Sequence, residues 1–126
     1  MAIGDFGGAI TELVITCRTP AEGEVAIEKG DALALVGPYT VTNAGTEDGP
    51  IFGEALAEVD ENNAFLPVKV RGISLFTYVG TAPTLDGETG VTFSDTPGVV
   101  QAPVSGSGSG RVVDVRAAAS LVHVLL

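Results

Sequence analysis

The chain has 126 residues, 45% of them hydrophobic, which suits one domain that buries roughly two thirds of its unfolded surface. Sixteen acids against six bases give a net charge of −10, which repels a phosphate backbone and argues against direct nucleic-acid binding. The single Cys17 excludes an internal disulfide and the multi-cysteine zinc spacings, and no apolar run is long enough for a membrane-spanning helix.

Seventeen glycines and seven prolines interrupt every helical pattern, while Val, Ala, Leu and Ile dominate the apolar residues. The expected class is mainly β: a compact β-barrel-like single domain with an extended amino-terminal arm and a loop-rich excursion. Residues 1–10 form the expected flexible arm, residues 11–79 and 111–126 the barrel core, and residues 80–110 the excursion. The arm is rich in glycine, carries Phe6 and Ile10 as apolar anchors, and lacks the basic start and unbroken apolar stretch of a secretory signal. Residues 10–17 read as a first strand, with Leu13, Ile15 and Cys17 on one face and Val14 and Thr16 on the other.

Residues 25–27 and 32–36 are short extended runs around a Lys29-Gly30-Asp31 turn, and Gly37-Pro38 reverses the chain before residues 39–42. One phrase occurs twice: Gly30-Asp31-Ala32-Leu33-Ala34 and Gly53-Glu54-Ala55-Leu56-Ala57. Each reads as a turn that feeds a strand, so an internal duplication forming two crossed halves is one explanation and coincidence the other. The same logic assigns residues 54–59 to a strand, and residues 42–50 have the composition of a surface loop.

Residues 65–72 alternate clearly, with Lys69 and Arg71 opposite Val68 and Val70, and Pro67 marks an edge strand or a strand start. Residues 73–79 are apolar on both sides and are expected to be the most buried strand. Between residues 80 and 110, Val91-Thr92-Phe93 and Val99-Val100 are brief strands among turns. Residues 112–115 and 121–126 make a last pair around residues 116–120. Val124, Leu125 and Leu126 end the chain in apolar side chains, so the last strand is expected to close the barrel or lie under a neighbouring subunit. At most one short helix is expected, within residues 53–60 or 116–120.

No catalytic motif emerges. Gly106 to Gly110 places glycine where a nucleophile elbow needs serine, and neither a dinucleotide fingerprint nor a phosphate loop is present. Cys17 and His123 alternate with apolar residues, which favours structural roles over a nucleophile–base pair. The acid pairs Glu47-Asp48, Asp60-Glu61 and Asp86/Glu88 lack the spaced ligands of a calcium loop and read as solvated rims. No cofactor, metal site or catalytic residue is assigned, and the chain is not expected to be an enzyme.

As a whole the pattern resembles the capsid decoration, or head cement, proteins of tailed bacteriophages. The resemblance rests on the Gly-rich amino-terminal arm, residues 25–35 with their Lys29-Gly30-Asp31 turn, and Phe52-Gly53-Glu54-Ala55-Leu56-Ala57. It also rests on Val70-Arg71-Gly72-Ile73, the Gly-rich loop before Gly110-Arg111-Val112, and the Val122-His123-Val124-Leu125-Leu126 ending. It implies a homotrimer, made in the host cytoplasm, that clamps the major capsid protein on the outer surface of the virion, without nucleic acid or membrane as partner. The residues expected at capsid or subunit contacts are Phe6, Ile10, Val124, Leu125 and Leu126. Two other classes stay open at this point: a small β-barrel module that binds a ligand or carbohydrate, and an enzyme whose site is completed between subunits.

Overall fold

The computed structural model describes residues 12–126. Five strands close into a barrel: β1 (Leu13–Arg18), β2 (Ala32–Gly37), β3 (Thr40–Thr42), β4 (Gly53–Ala55) and β5 (Phe65–Arg71), in the order β1-β3-β2-β4-β5. All neighbours are antiparallel except β1 and β3, whose single parallel pair, Arg18 with Thr40, completes the circle beside the long β1–β5 ladder. A second layer follows. β6 (Ile73–Thr77), β9 (Arg111–Arg116) and β10 (Leu121–Leu125) form a three-stranded sheet in the order β6-β10-β9, and β7 (Thr92–Phe93) pairs with β8 (Val100–Gln101). The protein is therefore mainly β, a single compact domain with a closed five-stranded barrel. Its one helical turn among the described residues is a 3-10 turn at Ala117–Ala119.

Strand alternation divides the apolar residues between two cores. Cys17, Ile27, Leu33, Val41, Ala55, Leu66 and Val68 fill the barrel, while a second cluster around Phe76, Tyr78, Phe93, Val100, Val122 and Val124 joins the barrel wall to the outer sheets. β2 is the shared wall. Consecutive side chains point to opposite faces, so Ala32 packs into the outer cluster and Leu33 into the barrel, and both are fully buried. Phe76 and Phe93 are also fully buried, which stabilises the second core by roughly 1.5 to 3 kcal/mol for each.

Several expectations change. The last strand does not close the barrel: β10 is the middle strand of the second sheet, flanked by β6 and β9, because the barrel is already complete once β5 pairs with β1. Residues 73–79 and 111–126 thus belong to the second layer. β6 is not the most buried strand, since Ser74 and Phe76 face inward but Leu75 is 43% exposed. The loop-rich excursion is more than a surface feature, because it delivers Val91, Phe93 and Val100 to the core. β5 is paired on both sides despite Pro67. The Pro67 carbonyl accepts the Leu56 N–H, so its nitrogen faces the same side, beyond Ala55 where β4 ends and no ladder bond is lost.

The twice-occurring phrase has two different structural meanings. Its copies meet as antiparallel neighbours, Ala32 with Glu54 and Leu33 with Gly53. Gly30 sits in a turn at φ +94, whereas Gly53 lies within a strand against the backbone of Lys69. Only residues 53–55 are strand, so the assignment of residues 54–59 to a strand is too long.

Candidate functional site

Of the predicted contact residues, Phe6 and Ile10 lie outside the described residues. Val124 is fully buried in the second core, which corrects its assignment as a contact residue: with Val122 it points inward, and only alternate residues of β10 face out. Leu125 and Leu126 are half-buried, and Leu126 packs on the core while its N–H is held by the Gly72 carbonyl. The outer face of the three-stranded sheet carries Leu125, Leu121 and Leu75, with Val113 exposed at the β9 bulge. His123 stands among them with Asp114 3.5 Å from its Nδ1, and Asp114 also takes a 3.1 Å bond from Arg116 Nε, which holds its carboxyl below the usual range.

Cys17 and His123 are not brought together. Cys17 lies in the barrel core, where burial pushes its thiol up and away from the reactive thiolate, and His123 is on the outer face of the other sheet. Two members of the acid pairs accept hydrogen bonds, Asp48 from distant segments and Asp86 within its own turn. Asp48 accepts from Thr92 Oγ1 and the Val104 N–H, and Asp86 accepts from Thr89 Oγ1 and from the Glu88 and Thr89 N–H groups, which lower its pKa to about 2. Among the described residues, no group of three or more His, Cys, Asp or Glu could hold a metal ion. A cleft between Asp31, Glu54 and Gly98 is equally structural in its polar groups. Asn43 bonds Asp31 and the Ala26 carbonyl at 2.9 Å, and Glu54 lies 3.5 Å from Lys69 in a pair whose side chains are 13% and 12% exposed. Asn43 was legible in sequence only as loop composition, and its burial comes from the strands it ties together.

One surface stands apart. Thr40, Arg18 and Phe65 are lateral neighbours on β3, β1 and β5, all pointing out of the barrel, and Tyr39 precedes Thr40 at the β2–β3 turn. Tyr39 is 67% exposed and Phe65 77%, the only exposed aromatic side chains among the described residues. The turn is Pro38-Tyr39, closing the Gly37–Thr40 pair. Proline holds its own φ near −65°, so the second residue must supply the positive φ, and Tyr39 does so at +51. Glycine or asparagine is usual there, and an aromatic side chain in the left-handed region costs roughly 1 to 2 kcal/mol. Hydrogen bonds hold the strained residue: the Arg18 N–H donates to the Tyr39 carbonyl at 2.8 Å, Thr40 Oγ1 to the Pro38 carbonyl at 3.0 Å, and Arg18 Nε to Thr40 Oγ1 at 3.2 Å. Arg18, Tyr39 and Phe65, together with Thr16, Cys17 and Pro38, border an open cleft of about 290 Å³. The sequence signal was present in a proline followed by a bulky residue in a two-residue reversal, but pairing Gly37 with Thr40 needed the fold. Set against known proteins, the chain matches no family model, and no curated protein matches it in sequence.

Proposed function

We propose that this protein is a structural virion protein that decorates and stabilises the outside of a bacteriophage icosahedral capsid, binding the major capsid protein as a homotrimer. The observation that carries the reading is the Arg18–Tyr39–Phe65 surface on a closed, hydrogen-bonded barrel. Arginine and aromatic side chains on a rigid element are what a protein interface uses as anchors, and the strained Tyr39 carries a ring that is turned to solvent rather than packed in the barrel. The sequence resemblance supplies the kind of partner, and the outer face of the three-stranded sheet, with Leu75, Leu121 and Leu125, supplies a second apolar surface for contact between copies. Each bound copy would bridge capsid subunits and add interface area that must be broken before the shell ruptures.

Co-sedimentation of the purified protein with expanded, DNA-free capsids tests the proposal. Saturable binding and a raised capsid melting temperature are expected, and absence of binding refutes it. Tyr39 and Phe65 also favour a second reading, a carbohydrate- or ligand-binding module, because exposed aromatic rings stack on sugars. Binding to a panel of immobilised glycans in the absence of capsid binding would select it.

A further inference from the structure

The cleft beside Tyr39 combines two exposed rings with a cation that is oriented but that none of the described residues neutralises. Arg18 uses Nε on Thr40, and its two terminal nitrogens make no hydrogen bond or ion pair with the described residues. That leaves the outer edge of the guanidinium fork for a planar, bidentate acceptor. The charge around it narrows the choice. The outward positions of β1 and β5 carry Arg18, Lys69 and Arg71, half of the six bases in the chain, and the acids nearest to Lys69, Glu12 and Glu54, are both turned toward it, at 3.6 and 3.5 Å. Beyond Phe65, residues 20–24 and 60–64 are tied together by Asn62, which donates to the Pro20 and Gly23 carbonyls, and they bring Glu22, Glu24, Asp60 and Glu61 to that end. A run of negative charge is repelled there, whereas one carboxylate among apolar groups meets Arg18 between two rings.

We infer that this cleft receives a single Asp or Glu side chain, flanked by an apolar residue, from a segment of the capsid protein, an inference that rests on the decoration reading. The carboxylate takes the terminal nitrogens of Arg18, and the neighbouring apolar side chain lies on Tyr39 and Phe65. Covering the rings excludes water from the ion pair, which turns an exposed charge contact of little worth into a strong one. The strained Pro38-Tyr39 turn holds one ring in place before the partner arrives, so less freedom is lost on docking.

The test is quantitative co-sedimentation of the whole protein with expanded capsids, using Arg18→Ala, Arg18→Lys, Phe65→Thr and Tyr39→Gly. Tyr39→Gly removes the ring and relieves the positive φ, so it folds at least as well as the native chain and isolates the binding effect. Arg18→Ala, Phe65→Thr and Tyr39→Gly are each expected to weaken binding about tenfold or more, and Arg18→Lys by less than Arg18→Ala. Amidating capsid carboxylates with carbodiimide and ethanolamine should weaken the native protein by a similar factor and leave Arg18→Ala little changed. If the native protein binds and the folded variants bind as well as it does, the inference falls while the decoration reading stands. Full binding of the native protein to amidated capsids also overturns it. If the native protein binds no capsid, the decoration reading itself fails.

Discussion

The two glycines that the repeated phrase aligns are expected to answer substitution in opposite ways. At Gly53 an added Cβ would lie 2.6 Å from the Lys69 carbonyl oxygen and 2.7 Å from Val68 Cγ1, against an ordinary contact of 3.4 Å or more, so β4 and β5 must separate by about 0.8 Å. That pairing is only two residues deep, Glu54 with Lys69 and Ala55 with Val68, and it carries the largely buried Glu54–Lys69 ion pair. Overpacking of this kind costs about 1 to 3 kcal/mol, and a lost ladder bond adds about 1, so Gly53→Ala should destabilise by about 2 to 4 kcal/mol. At about 4 °C per kcal/mol for a chain of this length, Tm falls by about 8 to 16 °C. Gly53→Asn, being larger, should be worse. At Gly30 an added Cβ meets nothing within 4 Å, and the obstacle is φ +94 alone. Gly30→Ala should cost about 1 to 2 kcal/mol, and Gly30→Asn less than Gly30→Ala, because asparagine tolerates positive φ. Differential scanning calorimetry of the four variants reads both rank orders. The same order of Ala and Asn at both positions would refute this account of β4.

Phe76→Ala, which empties the centre of the second core, should cost about 3 to 5 kcal/mol in urea unfolding, and a cost below 1 would deny that the two layers share a packed interface. Cys17 should resist a thiol reagent in the native protein and react fully in urea, since burial both hides the sulfur and raises its pKa; rapid native labelling would contradict the closed barrel. The Glu88 and Thr89 amide signals should titrate with a midpoint near pH 2, and Thr89→Val should raise it toward 3.8. The depressed pKa means that the turn is favoured above about 3.8 and loses that support as the pH falls through about 2. A native midpoint near 3.8 would remove the Asp86 bonds from the turn. Sedimentation velocity should show a trimer that Leu75→Glu converts to a folded monomer, because Leu75 is exposed in the single chain; a trimer that survives the change places subunit contacts elsewhere.

Much of the strand set follows from local pattern. Alternation over residues 65–72 set Val68 and Val70 opposite Lys69 and Arg71, and glycine, proline and acid clusters marked the turns around it. The mainly β class was accessible for the same reason: a strand shows its period of two within a few residues. Which strands pair was not, because pairing is a relation between distant segments. Apolar alternation cannot say whether the ending at Leu126 closes a barrel or fills the middle of a second sheet, and it made residues 73–79 look buried on both faces when one face is bare. The surface that carries the functional proposal was hidden in the same way. Arg18, Tyr39 and Phe65 are far apart in sequence and ordinary one by one; the registers of β1 with β3 and β5 gather them, and only tertiary packing leaves the rings of Tyr39 and Phe65 outside while burying those of Phe76, Tyr78 and Phe93.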